Sequence, residues 1–254
     1  MTATVLTPPH TAAADLTANT PEIRSSDETD IYEAIFTAIV EQRLVPGTRL
    51  IEEQLGEVFG VSRARIRKVL ANLAHTGIIR LERNRGAFVA RPSQEEARQV
   101  FEARQVVEQA IIRSIASDHG SGATRALHRH VKAEAEARQR GDRRATIRLS
   151  GEFHLLLAGI QGNAMLTEFL RTLVSRSSLI IAVYPPSIET ACSHDEHAAL
   201  IAAVEAGNSD QAVAEMSRHL EAVFEQLNLG GAPGTPLDLH QIFAGLVPRG
   251  RPTR

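Results

Sequence analysis

Between Glu52 and His75 the chain carries two short runs of helical periodicity separated only by Gly60-Val61-Ser62. Leu55, Val58 and Phe59 give the first run, about Glu52–Phe59, one apolar face, and Gly60 ends it. Ser62 is placed to cap a following helix of about Arg63–His75, which turns Ile66, Val69, Leu70 and Leu73 inward. An earlier helix, about Ile31–Gln42, repeats isoleucine at Ile31, Ile35 and Ile39, and Pro46-Gly47 turns the chain after it. Beyond Gly77 come IIRLE, RNRG and AFVA, a β-hairpin pattern with its turn at Arg83–Gly86. Three helices and a hairpin predict a winged helix-turn-helix.

The pattern changes at Arg91-Pro92. Proline cannot continue a strand ladder, and Ser93 with Glu96 forms a capping box for a new helix. From Ser93 to about Leu229 the periodicity is helical throughout. The expected fold class is mostly α. A winged helix-turn-helix over 29–92 precedes an all-α antiparallel bundle over 93–229. Residues 1–28, rich in Thr, Ala and Pro, and 230–254, rich in Gly, Pro and Arg, read as mobile tails. The Arg cluster of the second tail is a solvated end or a weak phosphate contact.

Composition excludes several classes. With 254 residues, 43% hydrophobic and 23% charged, the chain has the make-up of a soluble globular protein. No apolar run reaches the roughly 18 residues of a membrane span. No positive charge precedes Arg24, and no apolar block stands near it, so a secretory signal is not expected. Cys192 is the single cysteine, which excludes an intrachain disulfide and a multi-cysteine zinc motif and fits a reducing cytoplasm. Aromatic residues at 4%, with no Trp, argue against recognition by base or sugar stacking.

Charge is uneven along the chain. From Ile31 to Pro92 there are ten Lys and Arg against six Asp and Glu, while the rest is acidic. Arg63, Arg65, Arg67 and Lys68 cluster at the start of the third helix, and Arg83 and Arg85 stand at the hairpin tip. At about 100° per residue, Arg63 and Arg67 lie about 40° apart on the exposed side. Arginine forks at a helix N-terminus suit phosphates and guanine edges in a major groove, and a hairpin tip can reach the neighbouring backbone. A basic surface that binds protein is the plainer alternative; two cationic points favour double-stranded DNA.

In the helical segment Val100, Val107, Ile111 and Ile115 form one stripe, and Arg104 sits inside it with Glu108 beside it. A buried arginine needs an anion. That anion is either Glu108 or the carboxylate of a ligand. His197 and His219 lie on helices joined at Gly207-Asn208, each about ten residues or about 15 Å from the join. An antiparallel pair brings them level. His154 borders the Leu149–Phe153–Leu156–Ile160 stripe of another helix. Any one of these histidines suits a packed core, but three converging suit a divalent metal, zinc or nickel. His194 is a spare candidate and Cys192 a remote one, whereas Glu152 points away from His154. Asp195 and Glu196 are expected to diverge from His197, which leaves a three-histidine site without an obvious base.

The stretch PGTRLIEEQLGEVFGVSRARIRKVLANLAHTGII resembles the DNA-binding domain of GntR-family bacterial regulators, with their PG-x-x-L, E-x-x-L and Gly-Val-Ser-Arg steps. By position the resemblance implies DNA contacts from Ser62, Arg63, Arg67 and the wing Gly86. Ala64-Arg65 stands where the family often has Thr-Pro, so Arg65 adds a cation. FEARQVVEQA, GEFHLLLAGIQGN, DEHAALIAAVEAGN and MSRHL resemble the FCD ligand-binding domain of the FadR subgroup. That resemblance implies a homodimer reading two half-sites, with repression as the default. It also implies a metal held by His154, His197 and His219, and an organic-acid effector near Arg104. Metal-binding members typically carry Asp or Asn four residues before the first histidine; here that position is Ser150, a poor ligand that still faces the site. The rival readings are a metal-dependent hydrolase with a DNA-binding module and a DNA-binding protein that answers to no effector.

Overall fold

The computed structural model describes residues 27–117, 124–185 and 194–229 together with Leu239 and Phe243, the side chains of 194 and 195 excepted. The order is α1 (Glu28–Val40), β1 (Arg49–Leu50), α2 (Glu52–Phe59), α3 (Arg63–His75), β2 (Ile79–Glu82) and β3 (Gly86–Val89). Then follow α4 (Gln94–Ser117), α5 (Thr124–Gln139), α6 (Arg143–Gln161), α7 (Ala164–Val183), α8 (His194–Glu205) and α9 (Ser209–Glu225). The mostly α class stands, and α2 and α3 keep the bounds read from their punctuation.

Gly60 closes α2 in the left-handed conformation, and Ser62 caps α3 by accepting from the Arg65 amide at 3.4 Å. The first helix begins three residues earlier than its isoleucines indicate. Its opening turn is polar, with Glu28 and Asp30 placed favourably at the positive end of the helix. The hairpin pairs Ile79 with Val89 and Glu82 with Gly86, and β1 adds a third antiparallel strand on the far side of β3. Two residues long, β1 has no periodicity of its own and exists through its pairing. Ser93 caps α4 by accepting from the Glu96 amide at 3.1 Å. The Glu96 carboxylate turns instead toward Arg176, so half of the capping box forms.

Three apolar cores organise the described residues. The first joins α1, α2, α3 and the sheet through Ile35, Leu55, Ile66, Leu70 and Ile79. The second fills the bundle with Ile111, Phe153, Leu170, Leu200, Met216 and their neighbours. The third, with Ala97, Val100, Phe101, Ile180, Val223 and Leu227, lies along α4, α7 and α9. Helix α7 contributes to all three: Leu170, Leu173 and Val174 to the second, Leu179 to the first and Ile180 to the third. The C-terminal segment corrects an expectation. Leu239 and Phe243 are buried in the first core, with Phe243 edge-on to Phe59, so at these positions the segment is packed rather than mobile.

Candidate functional site

The cations of α3 stand on an exposed surface, and several carry a carboxylate partner within the chain. Arg67 donates twice to Glu52, from Nε at 2.9 Å and from Nη2 at 2.7 Å. Arg63 meets Glu53, and Lys68 reaches Glu28 at 2.7 Å. The hydrogen bond from Arg67 is the main reason the Glu52 carboxyl lies below its ordinary range. The first turn of α2 thus lies beside the first half of α3. Exposed pairs of this kind are weak in water and exchange readily, so they do not commit the arginines. At the wing, Arg85 pairs with Glu82 and lies 5.4 Å over the Phe88 ring. Gly86 follows with φ +99°, a conformation that side-chain-bearing residues rarely adopt.

The bundle brings the three histidines together. His154 on α6, His197 on α8 and His219 on α9 are each at most 3% exposed. A ring nitrogen of each lies within 4.8 Å of the other two. The periodicity of α6 is turned slightly from the expected one: Phe153, His154 and Leu157 are buried and Leu156 and Ile160 partly so, which places His154 within the stripe. Phe153 stacks on the His197 ring with centroids 4.0 Å apart and so fixes its plane.

Each histidine has a glutamate behind it. Nδ1 of His154 bonds Glu108 at 2.5 Å, Nδ1 of His197 bonds Glu134 at 2.8 Å, and Nδ1 of His219 bonds Glu196 at 2.7 Å. Burial, joined by Arg104 and His219, holds the His154 imidazole down at about 3, and burial likewise lowers His197. A neutral ring that donates from Nδ1 has a bare lone pair on Nε2. Nε2 of His197 has no hydrogen-bond partner, and those of His154 and His219 face each other at 3.3 Å. Lone pairs gathered in a dry interior repel unless a cation lies among them. Zinc bound at about 2.1 Å in tetrahedral geometry separates its donor nitrogens by about 3.4 Å. The donor set therefore fits a divalent metal, and the glutamates fix ring orientation as second partners of metal-bound histidines do.

Arg104 has the internal partner that the sequence offers it. Its Nε donates to Glu108 at 2.6 Å and its Nη1 to Ser177 at 3.1 Å. Burial is the largest influence on the Glu108 carboxyl and pushes it upward, but Arg104 and His154 together outweigh it and hold the group down at about 2. The third nitrogen, Nη2, is buried without a partner. Arg104 is thus paired within the fold and still has one donor to give. Ser150 is half-buried one turn before His154, and Glu152 is occupied by Arg148 at 2.8 Å. Cys192 and the side chain of His194 lie outside the described residues.

Two of the glutamates stand apart from the sequence reading. Glu134 gave no signal as a histidine partner, because α5 is 63 residues from His197; its one mark is an acid following Leu127 and Val131 on a buried face. Glu196 does diverge from His197, but in doing so it meets His219 across the α8–α9 pair. Glu196 and His219 also line a surface cleft of about 340 Å³ with Glu215, Arg218, Glu221 and Glu225.

Comparison with known proteins matches residues 28–89 to the bacterial regulatory proteins of the gntR family and residues 99–222 to the FCD domain. The chain is 25% identical over 202 residues to the HTH-type transcriptional repressor RspR of Escherichia coli, covering 78% of this chain and 87% of that one. It is 24% identical over 182 residues to the Nta operon transcriptional regulator of Aminobacter aminovorans, covering 72% and 85%. Among solved structures, a GntR regulator from Rhodococcus sp. RHA1 superposes with a TM-score of 0.73 at 24% identity, covering 82% of this chain and 99% of that one.

Proposed function

The chain belongs to the GntR family of bacterial transcription regulators and carries an FCD domain, and from that premise we propose a homodimeric, operator-binding repressor whose bundle holds a divalent metal and senses a small carboxylate. The family and the relatives are transcription regulators, not enzymes, which removes the hydrolase reading. Ser62, Arg63, Arg65, Arg67, Arg85 and Gly86 form the proposed DNA contact set. Phosphates and guanine edges compete with Glu52 and Glu53 for the arginines; a bidentate guanine contact replaces the bidentate carboxylate on Arg67 without loss of geometry. Repression follows the likeness to RspR.

His154, His197 and His219 would hold the metal, zinc or nickel. When bound, it would supply a double positive charge that Glu108, Glu134 and Glu196 offset only from behind the rings, and Ser150 stands where an acidic fourth ligand would cancel it directly. That charge favours an anionic effector. Arg104 offers its unpaired Nη2 to the same anion while Glu108 holds the rest of the guanidinium in place. The single observation that carries the metal reading is the set of Nδ1–carboxylate bonds, which leaves Nε2 of each ring as the atom open to a metal. Elemental analysis of tag-free protein tests it. One zinc or nickel per chain, removed by chelator and absent in His197→Ala, is the expected result; metal-free protein at every stage of purification, with no uptake on titration, refutes it.

A further inference from the structure

We propose that Arg176 is the positioning residue that couples the buried histidine site to the recognition helix α3. The inference rests on the reading that this site is where the chain senses its ligand. A continuous series of polar contacts leads outward from His154. Its Nδ1 meets Glu108 Oε2 at 2.5 Å, Glu108 Oε1 accepts from Arg104 Nε at 2.6 Å, and Arg104 Nη1 donates to Ser177 Oγ at 3.1 Å. All four residues are buried. Ser177 is the chain neighbour of Arg176 on α7.

Arg176 leaves the bundle and grips the far end of α3. Its Nε donates to the carbonyl of Thr76 at 3.1 Å, and Thr76 is the C-cap of α3. Its Nη1 lies 3.5 Å from Glu96 in the first turn of α4. A guanidinium at a helix C-terminus satisfies a carbonyl left over by the helix and complements the negative end of its dipole. Gly77 completes the seat. Its φ is +76°, and a Cβ there would collide with the Arg176 guanidinium. The chain is shaped around this arginine at the point where α3 gives way to the hairpin.

Helix α7 supplies the mechanical link. Leu173 and Val174 pack in the histidine core, while Leu179, about one and a half turns on, is buried in the core of the winged helix. Ser177 itself donates to the Val174 carbonyl at 2.8 Å while accepting from Arg104. A charge arriving at the histidines, or an anion drawing on Arg104 Nη2, alters the hold of Arg104 on Ser177. A rigid helix passes that change to its next residue and so to the end of α3. Coupling of this kind is reciprocal, so DNA on α3 also shifts affinity at the histidine site.

Hydrogen exchange on the full chain, with zinc alone as the probe, tests the proposal. In the natural chain, zinc is expected to change exchange of the amides of residues 73–79 by at least about threefold. Arg176→Gln should still bind one zinc, with affinity within about threefold of the natural chain, and lose that response, and Arg176→Lys should restore part of it. A natural chain that binds one zinc without any change over 73–79 overturns the proposal, as does a full response in Arg176→Gln. Ser177→Ala, measured without metal, separates this from failure of the metal reading. It should speed exchange over 73–79 by a similar factor and leave 31–39 unchanged; unchanged exchange over 73–79 overturns the relay whether or not zinc binds.

Discussion

At the start of α3 and at the centre of the bundle the chain uses one device twice, a basic nitrogen set against a glutamate. The surroundings make the two uses opposite. Arg67 and Glu52 are 71% and 31% exposed in their side chains, whereas His197 and Glu134 are each 4% exposed. In water the pair is a resting position that another anion can take over. In the dry core the carboxylate decides which ring nitrogen bears the proton and where the other nitrogen points. Exposed pairs keep a surface available, and buried pairs fix a geometry.

The strongest way to break the buried arrangement is Glu108→Ala. It leaves Arg104 in the core without its anion, and loss of one buried partner costs about 3–5 kcal/mol; equilibrium urea unfolding should report a destabilisation of that order. Glu134→Gln is gentler. It keeps the shape but takes the carboxylate charge from behind His197, and such changes weaken metal binding about 10- to 100-fold. Zinc titration against a competing chelator reads this, while DNA binding by the metal-free protein should not change.

On the exposed side, Arg67→Ala should lower affinity for specific DNA roughly 10- to 100-fold and leave the unfolding curve in place. Fluorescence anisotropy over a series of salt concentrations separates a lost base contact from a lost phosphate contact. Glu53→Gln should do the reverse, raising affinity for any DNA by up to about fivefold, the scale of an exposed ion pair.

A pH series sharpens the contrast without mutation. His154 is held at about 3 in the fold against about 6.5 in the unfolded chain, and His197 is lowered too. As pH falls from about 6.5, the unfolded chain takes up protons that the folded core refuses, so stability of the metal-free protein should decline through that window. His130 is shifted upward and works in the opposite sense above about 6.5. Melting temperature between pH 7 and pH 5 checks the net sign, which two depressed imidazoles against one raised make a fall on acidification.

Much of this molecule was legible from its residues, and the gaps have physical causes. The bounds of α2 and α3 were readable because Gly60 and Ser62 fix backbone conformation locally. The strand β1 was not, because two residues have no period and depend on a partner 37 to 39 positions away, Leu50 on Ala87 and Arg49 on Phe88. The histidines were readable because a turn at Gly207-Asn208 and the rise of a helix suffice to set two of them level. Glu134 was hidden since nothing local ties α5 to α8. The sequence sets Glu196 beside His197, whereas the fold sets it against His219 on the adjoining helix. Arg104 can face an internal partner or a ligand as far as sequence shows, and its three nitrogens leave one donor beyond Glu108 and Ser177.

The burial of Leu179, Leu239 and Phe243 in the core of the winged helix also has a consequence for how the protein is made. The winged helix emerges from the ribosome ahead of the bundle, and Phe243 follows Val89 by more than 150 residues. At roughly 5–20 residues per second that is a delay of about ten seconds or more. During that time the apolar position beside Phe59 has no occupant from its own chain. Residues made later finish a part begun earlier, so a nascent winged helix, or one cut away after Pro92, lacks three of the side chains that keep water from its interior.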